Sequence, residues 1–212
     1  MENAKQYYYD KRGPVLVKNL QKRHFEAYYC QTKGAALEKA LELIPEGATV
    51  GWGGAYSAIQ IGLIQALNGG SYNTIDRDKC PTPEEKQQAA RDCLSADFFL
   101  TGANGLSLDG QMVNIDGNGN RVGAIIFGPK NVLVIAGMNK VCDNLEAAVQ
   151  RARTVAAPMN QQRFQGKTPC TVTGTCADCL SESCICNQIV ITRNCRPAGR
   201  IKFILVGEDL GF

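Results

Sequence analysis

This 212-residue chain is predicted to form an α/β fold, with a mostly parallel sheet flanked by helices. Short apolar runs of strand length alternate with longer segments whose apolar residues recur at helical spacing. Such alternation is typical of a parallel sheet with helices on its faces. The composition, 44% hydrophobic and 20% charged, is that of an ordinary globular protein. We therefore predict a single domain over residues 1–212.

Local start and stop signals place the individual elements. Gly13–Pro14 interrupts the first helical pattern, so one or two short helices are expected there. Thr32 and Thr82–Pro83 are typical helix starts. The predicted elements, in order, are helix 2–22, strand 25–30, helix 32–44, strand 48–54, helix 56–67, helix 82–94, strands 97–101 and 132–136, helix 143–155, and strands 188–192 and 201–206.

Three predicted strands run into glycine-containing loops, after Val50, Leu100 and Ala136. In parallel sheets, ligands bind beyond the carboxyl ends of the strands. Glycine there permits close approach of the backbone to a ligand, although a tight turn explains the GWGG sequence equally well. The candidate ligand-binding glycines are Gly51, Gly53, Gly54, Gly102 and Gly137.

Polar residues concentrate between positions 101 and 140. Asp109–Gly110 predicts a two-residue hairpin turn, and residues 116–120 predict a second turn. Turn chemistry does not require the other amides and cations of this segment. One hypothesis is that they line a pocket for an anionic ligand such as a sugar phosphate or CoA-like group, with Arg121 and Lys140 as charged donors and Asp116 as acid or base. The candidate residues are Asn104, Asp116, Asn120, Arg121, Asn139 and Lys140.

Six of the ten cysteines lie between Cys170 and Cys195. Cys176 and Cys179 form a CxxC pair whose short loop lets two thiolates converge on one metal centre, and Cys170 and Cys186 could complete a four-thiolate shell. Four thiolates suit structural zinc and an iron-sulfur cluster equally well, so the spacing leaves both open. Chance clustering of buried thiols is the plain alternative. The other four cysteines are scattered along the chain, and we predict that they pack as small buried hydrophobic residues: Cys30, Cys80, Cys93 and Cys142.

Several classes of protein and site are disfavoured. The N-terminal segment has no apolar signal region, and no apolar run has the length of a membrane span. We therefore expect a cytoplasmic protein without a membrane partner, in which thiols stay reduced. The net charge of +3 is spread along the chain, which does not favour a nucleic-acid partner. The single histidine, His24, lies at a charged helix end and argues against a Ser-His-Asp triad. No catalytic residue is predicted.

A series of motifs runs through almost the whole chain: VGWGG, TGANG, DGQMVNIDGNGNR, FGP, VIAGMNK and ILVGEDLGF. Their order closely resembles the lactate-utilisation (LUD) domain family, in particular its short stand-alone members with a cysteine-rich segment near the C-terminus. The resemblance covers about residues 5–212. It implies a fold of the kind shared by sugar-phosphate isomerases and CoA transferases, with a cysteine-rich metal-binding segment at residues 166–196.

The resemblance also implies metal ligands and a function. The motifs PC, TG, CxxC and ICN of short relatives match this chain so that Cys170, Cys176, Cys179 and Cys186 would be the ligands. Cys184 and Cys195 are then extra, although Cys184, only two residues from Cys186, competes with it for the role of ligand. Some relatives are associated with iron-sulfur systems that oxidise lactate, so we expect a [4Fe-4S] accessory or subunit, with redox partner subunits, in oxidation of lactate or a related 2-hydroxy acid. The alternatives are a small-molecule enzyme or binding protein with a structural zinc site, and a scaffold that docks on partner subunits.

Overall fold

The computed structural model describes residues 4–164 and 166–212. The strands are β1 (Glu26–Cys30), β2 (Thr49–Trp52), β3 (Asn73–Ile75), β4 (Phe98–Thr101), β5 (Gly105–Ser107), β6 (Met112–Asp116), β7 (Asn131–Gly137), β8 (Val141–Cys142), β9 (Gln188–Thr192) and β10 (Ile201–Val206). The helices are α1 (Ala4–Lys22), α2 (Lys33–Leu43), α3 (Tyr56–Gln60), α4 (Leu63–Gly69), α5 (Pro83–Asp92), α6 (Asn120–Phe127), α7 (Leu145–Arg151), α8 (Ala157–Gln161) and α9 (Pro169–Thr173).

Six strands form a parallel sheet in the order β1, β10, β7, β4, β2, β3. Successive residues of β7 enter different cores: Val132 and Val134 pack in the core that includes α1 and α6, and Leu133 packs in the core that includes α2 and α4. Both faces of the sheet are therefore covered, as the burial of parallel strands requires. The predicted α/β fold is confirmed.

Helix boundaries follow the predicted caps in two places. The Oγ1 of Thr32 accepts a hydrogen bond from the main-chain N of Ala35 at 3.2 Å, and the Oγ1 of Thr82 accepts one from Glu85 N at 3.2 Å. These two helix starts are confirmed. None of the helices within the described residues is both long and apolar enough to cross a membrane.

Three helices differ from their predictions. Helix α1 continues through Pro14, because its buried face, with Tyr9 before the proline and Leu16 and Leu20 after it, holds both halves against the sheet. The helix predicted over 56–67 is instead two helices, since Gly62 adopts a left-handed φ of +82° between them. The helix predicted to end at residue 155 continues through one π-helical turn, at Ala152–Ala156, into α8.

A second sheet, in the order β8, β5, β6, β9, was not predicted. Its β5–β6 hairpin confirms the turn expected near Asp109–Gly110, but the loop has three residues, 108–110, because Ser107 N already bonds to Gln111 O at 2.9 Å. Gly110 closes this loop with φ +93°. The sheet packs its Val113 and Ile115 side chains against α7.

The order of the main sheet positions the ligand-binding candidates. Strands β2, β4 and β7 are neighbours and parallel, so the loops that follow Trp52, Thr101 and Gly137 leave the sheet at the same edge. The helix α6, which was also not predicted, places Arg121 at this edge from its first turn.

Candidate functional site

A cavity of about 90 Å³ lies in the cysteine-rich segment. Pro158 and Gln161 of α8 and Ile189 of β9 form part of its wall. Five thiols also line it: Cys170, Cys176, Cys179, Cys184 and Cys186. We call these five residues and the space between them the thiol cavity. Four of the five are the ligands that the family resemblance implies, and the fifth, Cys184, was expected to be extra.

Short local structures bring the thiols to this cavity. Helix α9 begins after Thr168, whose main-chain N donates to the Oγ1 of Thr171 at 2.9 Å and whose own Oγ1 lies 3.2 Å from the Sγ of Cys170. Asp178, inside the CxxC pair, adopts a left-handed φ of +50° and forms an ion pair with Arg153. The main-chain N of Cys186 donates to the Sγ of Cys184 at 3.4 Å. Cys170 thus lies in α9, and the other cavity thiols lie on irregular segments, one of which is tied by Asp178 to the helical segment that contains Arg153.

The thiols affect one another electrostatically. Burial, together with the neighbouring Cys184, raises the pKa of Cys186 to about 12. Hydrogen bonds from Ser181 lower the pKa of the half-buried Cys179. A cation between the thiolates would relieve their mutual repulsion, and sulfur donors suit soft metals, so the donor set fits zinc or an iron-sulfur cluster.

The sulfurs stand around the walls of the cavity. Across residues 4–164 and 166–212, no three Cys, His, Asp or Glu side chains are placed so that they could hold one metal ion. The four cysteines predicted as metal ligands thus line one cavity without being placed around a single ion, and both the ligand set and the metal stay predictions.

The remaining cysteines lie elsewhere. Cys195 is buried, its Sγ lies 3.2 Å from the carbonyl O of Pro197, and the same Sγ accepts a hydrogen bond from Ile201 N at 3.3 Å. Cys30 and Cys93 are buried, as expected, whereas Cys80 and Cys142 are half-buried. All ten cysteines have free thiols. Cys195 thus has a structural place beside β10, away from the thiol cavity.

A second site occupies the edge where β2, β4 and β7 end. Lys140 follows β7, is 4% exposed, and its Nζ lies 3.3 Å from the Oγ of Ser57 in α3. A Cβ added to Gly102 would lie 3.8 Å from this Nζ, and one added to Gly54 would meet the guanidinium of Arg121. We call Lys140, Arg121 and Arg151, with Ser57 and Asn114, the basic cluster.

Arg121 is held in the basic cluster by oxygen atoms on neighbouring elements. Its Nη2 donates to the carbonyl O of Ile115 and, at 3.3 Å, to the Oδ1 of Asn104. The carboxylate of Asp116 lies 3.8 Å from the same nitrogen, but its Oδ2 also accepts from the main-chain N of Arg121 at 3.0 Å and of Val122 at 3.2 Å. Asp116 therefore supports the first turn of α6 as well as the guanidinium.

The basic cluster leaves two buried side-chain atoms without partners. Of the buried side-chain atoms in the described residues, Arg121 Nε and Asn114 Oδ1 have no hydrogen-bond partner, although Asn114 Nδ2 bonds to Gly102 O at 3.0 Å. Burial, with Arg151 and Arg121 nearby, lowers the pKa of Lys140 to about 7. Asp116, whose oxygens are already bonded, lies beside Arg121, whereas Arg151 Nη1 donates to the main-chain O of Asn104 at 2.6 Å and of Phe212 at 3.3 Å. Three basic groups close together, with one buried donor, Arg121 Nε, left without a partner, favour an anionic ligand.

Residues 208–212 cover this cluster. The main-chain N of Leu210 donates to Asn139 Oδ1 at 3.1 Å, and Gly211 N donates to Gln60 Oε1 at 2.6 Å. The Phe212 ring stacks on Tyr56 with centroids 5.0 Å apart. A Cβ on Gly211 would lie 2.7 Å from the Nζ of Lys140, so this segment lies directly on the amine.

The structure brings most, but not all, of the ligand-binding candidates together. Gly54, Gly102, Asn104, Arg121 and Lys140 meet in or beside the basic cluster, and Gly53 and Asn120 are neighbours next to it. Gly51 instead packs against the side chain of Cys93. Gly137 and Asn139 contact residues 208–212.

Sequence reasoning missed Ser57 and Arg151. Asn114, of the MVNI motif, is one of the amides that turn chemistry does not require, but it was not included among the predicted ligand-binding residues. Arg151 reaches the site from α7, where its Nη1 donates to Asn104 O at 2.6 Å.

A wider groove of about 500 Å³ adjoins the thiol cavity. Leu145 and Val149 of α7 and Ile191 of β9 line it, and Cys176 and Asp178 form its border with the thiol cavity.

Comparison with solved structures gives the fold. A DUF162 family protein from Deinococcus radiodurans superposes with a TM-score of 0.54 at 10% sequence identity, over 93% of this chain and 97% of that one. Ribose 5-phosphate isomerase A from Neisseria gonorrhoeae matches 53% of this chain and 54% of its own at 23% identity and a TM-score of 0.34. The eIF2B delta subunit from Chaetomium thermophilum matches 65% of this chain and 57% of its own at 14% identity and a TM-score of 0.38. The first of these supports the fold alone.

Comparison of the sequence gives the family. No curated protein sequence matches the chain. The sequence model of the LUD domain matches residues 14–206, which include both the basic cluster and the thiol cavity. The chain belongs to the LUD domain family.

Proposed function

We propose that this LUD-domain protein is an iron-sulfur accessory or subunit in the oxidation of lactate or a related 2-hydroxy acid. The observation that carries the proposal is the thiol cavity, a space of about 90 Å³ that has five cysteines among its lining residues. A [4Fe-4S] centre held there would supply one-electron transfer. The free thiols are consistent with a reducing compartment, and we place the protein in the cytoplasm.

The surroundings of the cavity support this role for the chain's own residues. Cys186 is the thiol most hindered from ionising, because burial and neighbouring thiols disfavour its thiolate. A bound cationic centre would stabilise that thiolate. Hydrogen bonds with Ser181 instead lower the pKa of Cys179, so this thiol ionises more readily. The cavity therefore offers thiols that a metal centre would bring to a common ionised state.

The groove beside the thiol cavity supports a role for partner subunits. Its apolar side chains, Leu145, Val149 and Ile191, adjoin Cys176. A redox partner seated there would come close to the metal centre, as electron transfer between subunits requires.

Anaerobic purification followed by iron, zinc and sulfide analysis tests the proposal. We expect brown protein with about four irons and four sulfides per chain. The variant Cys176→Ser should lose them. The matched control is Cys195→Ser, which removes a thiol outside the cavity and should keep its iron. Colourless protein with one zinc per chain would contradict the iron-sulfur proposal.

A second candidate function is supported by the basic cluster: binding or conversion of a small anionic metabolite, with the thiols holding a structural zinc. The supporting observation is the unbalanced charge around Lys140 and Arg121 described above. Inorganic phosphate or a small carboxylate should raise the melting temperature. Replacing Arg121 by Ala should abolish that rise, whereas an unchanged rise would contradict the assignment of this residue.

A further inference from the structure

We propose that the Nζ of Lys140 is a nucleophile that forms an imine with a small anionic carbonyl compound. The inference rests on the second candidate function, anion binding at the basic cluster, and adds a covalent step at one atom. Lys140 would then act as an uncharged nucleophile, and not as the charged hydrogen-bond donor predicted from the sequence.

The surroundings of Lys140 do not suit a permanent cation. Its side chain is 4% exposed, and its hydrogen-bond partner in the described part of the chain is a hydroxyl, that of Ser57, rather than a carboxylate. The charged groups near it, Arg121 and Arg151, are also cations. Burial and these two cations lower the pKa of Lys140 to about 7, so a large part of the amine is uncharged near neutral pH. An uncharged amine has the lone pair that a nucleophile needs.

The chemistry balances without an oxidant or a reductant. The Nζ lone pair attacks the carbonyl carbon, and the carbonyl π electrons move to oxygen. A proton then passes from nitrogen to that oxygen to give a carbinolamine, and loss of water leaves the C=N bond. Ser57 Oγ, at 3.3 Å from Nζ, is placed to relay the proton between nitrogen and oxygen.

The charge of the site selects the class of carbonyl compound. Arg121 is buried, with its Nε unpartnered, so it is available to a carboxylate or phosphate oxygen. A compound with a carbonyl group next to an anionic group would satisfy the amine and the guanidinium together. Small 2-oxo carboxylates and short sugar phosphates share this chemistry.

Access to the amine requires movement of one short segment. Gly211 lies on the Nζ of Lys140, and the segment is held by the bond from Gly211 N to Gln60 and the stacking of Phe212 on Tyr56. A carbonyl compound therefore reaches Nζ when residues 208–212 move aside.

Reductive trapping tests the inference on the full chain. The protein is incubated with pyruvate, with dihydroxyacetone phosphate, or with uncharged acetone, each with sodium cyanoborohydride, and the label is located by peptide mass spectrometry. We expect label at Lys140 in the wild-type chain with one or both anionic compounds, at least tenfold above that with acetone. The pyruvate and phosphate arms show which anion the site takes.

Ser57 is tested as the proton relay. Ser57→Ala should slow labelling of Lys140 about tenfold or more, and Ser57→Thr should restore it. Lys140→Met should lose the label, but the assignment rests on the mapped site in the wild-type chain. Label spread over surface lysines, or none at Lys140, would overturn the inference. If phosphate still raised the melting temperature, anion binding would stand and the covalent step alone would fail.

Discussion

The Nζ of Lys140 and the Oγ of Ser57, 83 residues apart in the chain, lie 3.3 Å from each other in the interior. Lys140 follows β7 and Ser57 lies in α3, so the contact joins two of the loops at the edge of the sheet. A buried amine with guanidinium neighbours reduces the stability of the folded state whenever it carries a proton. Proteins retain such groups at functional sites more than elsewhere.

Lys140→Met should therefore stabilise the protein and alter its pH dependence. The pKa of Lys140 is about 7 in the folded chain and about 10.4 when unfolded. Between these values the unfolded chain binds a proton that the folded chain does not, so this group makes stability rise with pH, by up to about 1.4 kcal/mol per pH unit. Below pH 7 both states are protonated and the contribution is constant.

Urea unfolding at pH 7 and pH 9 measures this effect. We expect Lys140→Met to gain about 1–4 kcal/mol at pH 7 and to show a smaller gain at pH 9. The exposed Lys86 offers the matched control, Lys86→Met, which should change neither value by more than about 0.5 kcal/mol. A loss of stability in Lys140→Met at pH 7 would show that the amine is satisfied and charged.

The sequence predicted the edge of the sheet better than the contacts across it. The apolar runs that end at Val50, Leu100 and Ala136 locate three parallel strands, because a buried strand leaves a strong local signal. Ser57 leaves no local signal of this kind, because its place in the basic cluster depends on its contact with Lys140, which is far away in the chain. The second sheet has strands as short as Val141–Cys142, too short to show a period.

The start of α6 was missed for a related reason. Residues 116–120 are rich in turn formers, and they do turn, but Asp116 then reaches forward to the main-chain N atoms of Arg121 and Val122. For the cysteines, spacing identified the CxxC pair, but it could not separate Cys184, which faces the cavity, from Cys195, which does not.

Cys195 and Cys184 should respond differently to removal of the thiol. Cys195→Ala deletes the acceptor for Ile201 N in a buried site, so we expect a loss of about 1–3 kcal/mol in unfolding free energy, with iron content unchanged. Cys184→Ala should retain the cluster, because the four motif cysteines remain. Iron and melting temperature are measured on the same anaerobic samples. If Cys184→Ala lost its iron while Cys186→Ala kept it, the fourth ligand would be Cys184.

Gly137→Ala should displace residues 208–212. The added Cβ would lie 2.5 Å from the main-chain O of Glu208 and N of Leu210, and backbone atoms cannot rotate away. We expect a loss of about 1–3 kcal/mol and faster amide hydrogen exchange in residues 208–212. Gly34→Ala is the control, since its Cβ would meet no atom closer than 4.0 Å. Unchanged exchange in Gly137→Ala would mean that the segment is not anchored at this contact.

Replacement of Asp116 separates a structural role from an acid or base role. Asp116→Ala removes the acceptor for two main-chain N–H groups of α6 and the carboxylate beside the buried Arg121, so we expect a loss of about 3–5 kcal/mol. Asp116→Asn keeps an acceptor oxygen but not the charge, so its loss should be smaller. Urea unfolding gives the unfolding free energies of both variants.

Since the carboxylate oxygens of Asp116 are occupied in the fold, Asp116→Asn should also retain at least a tenth of the rate of reductive labelling at Lys140. A well-folded Asp116→Asn chain that lost the labelling altogether would instead identify Asp116 as a proton carrier in the reaction.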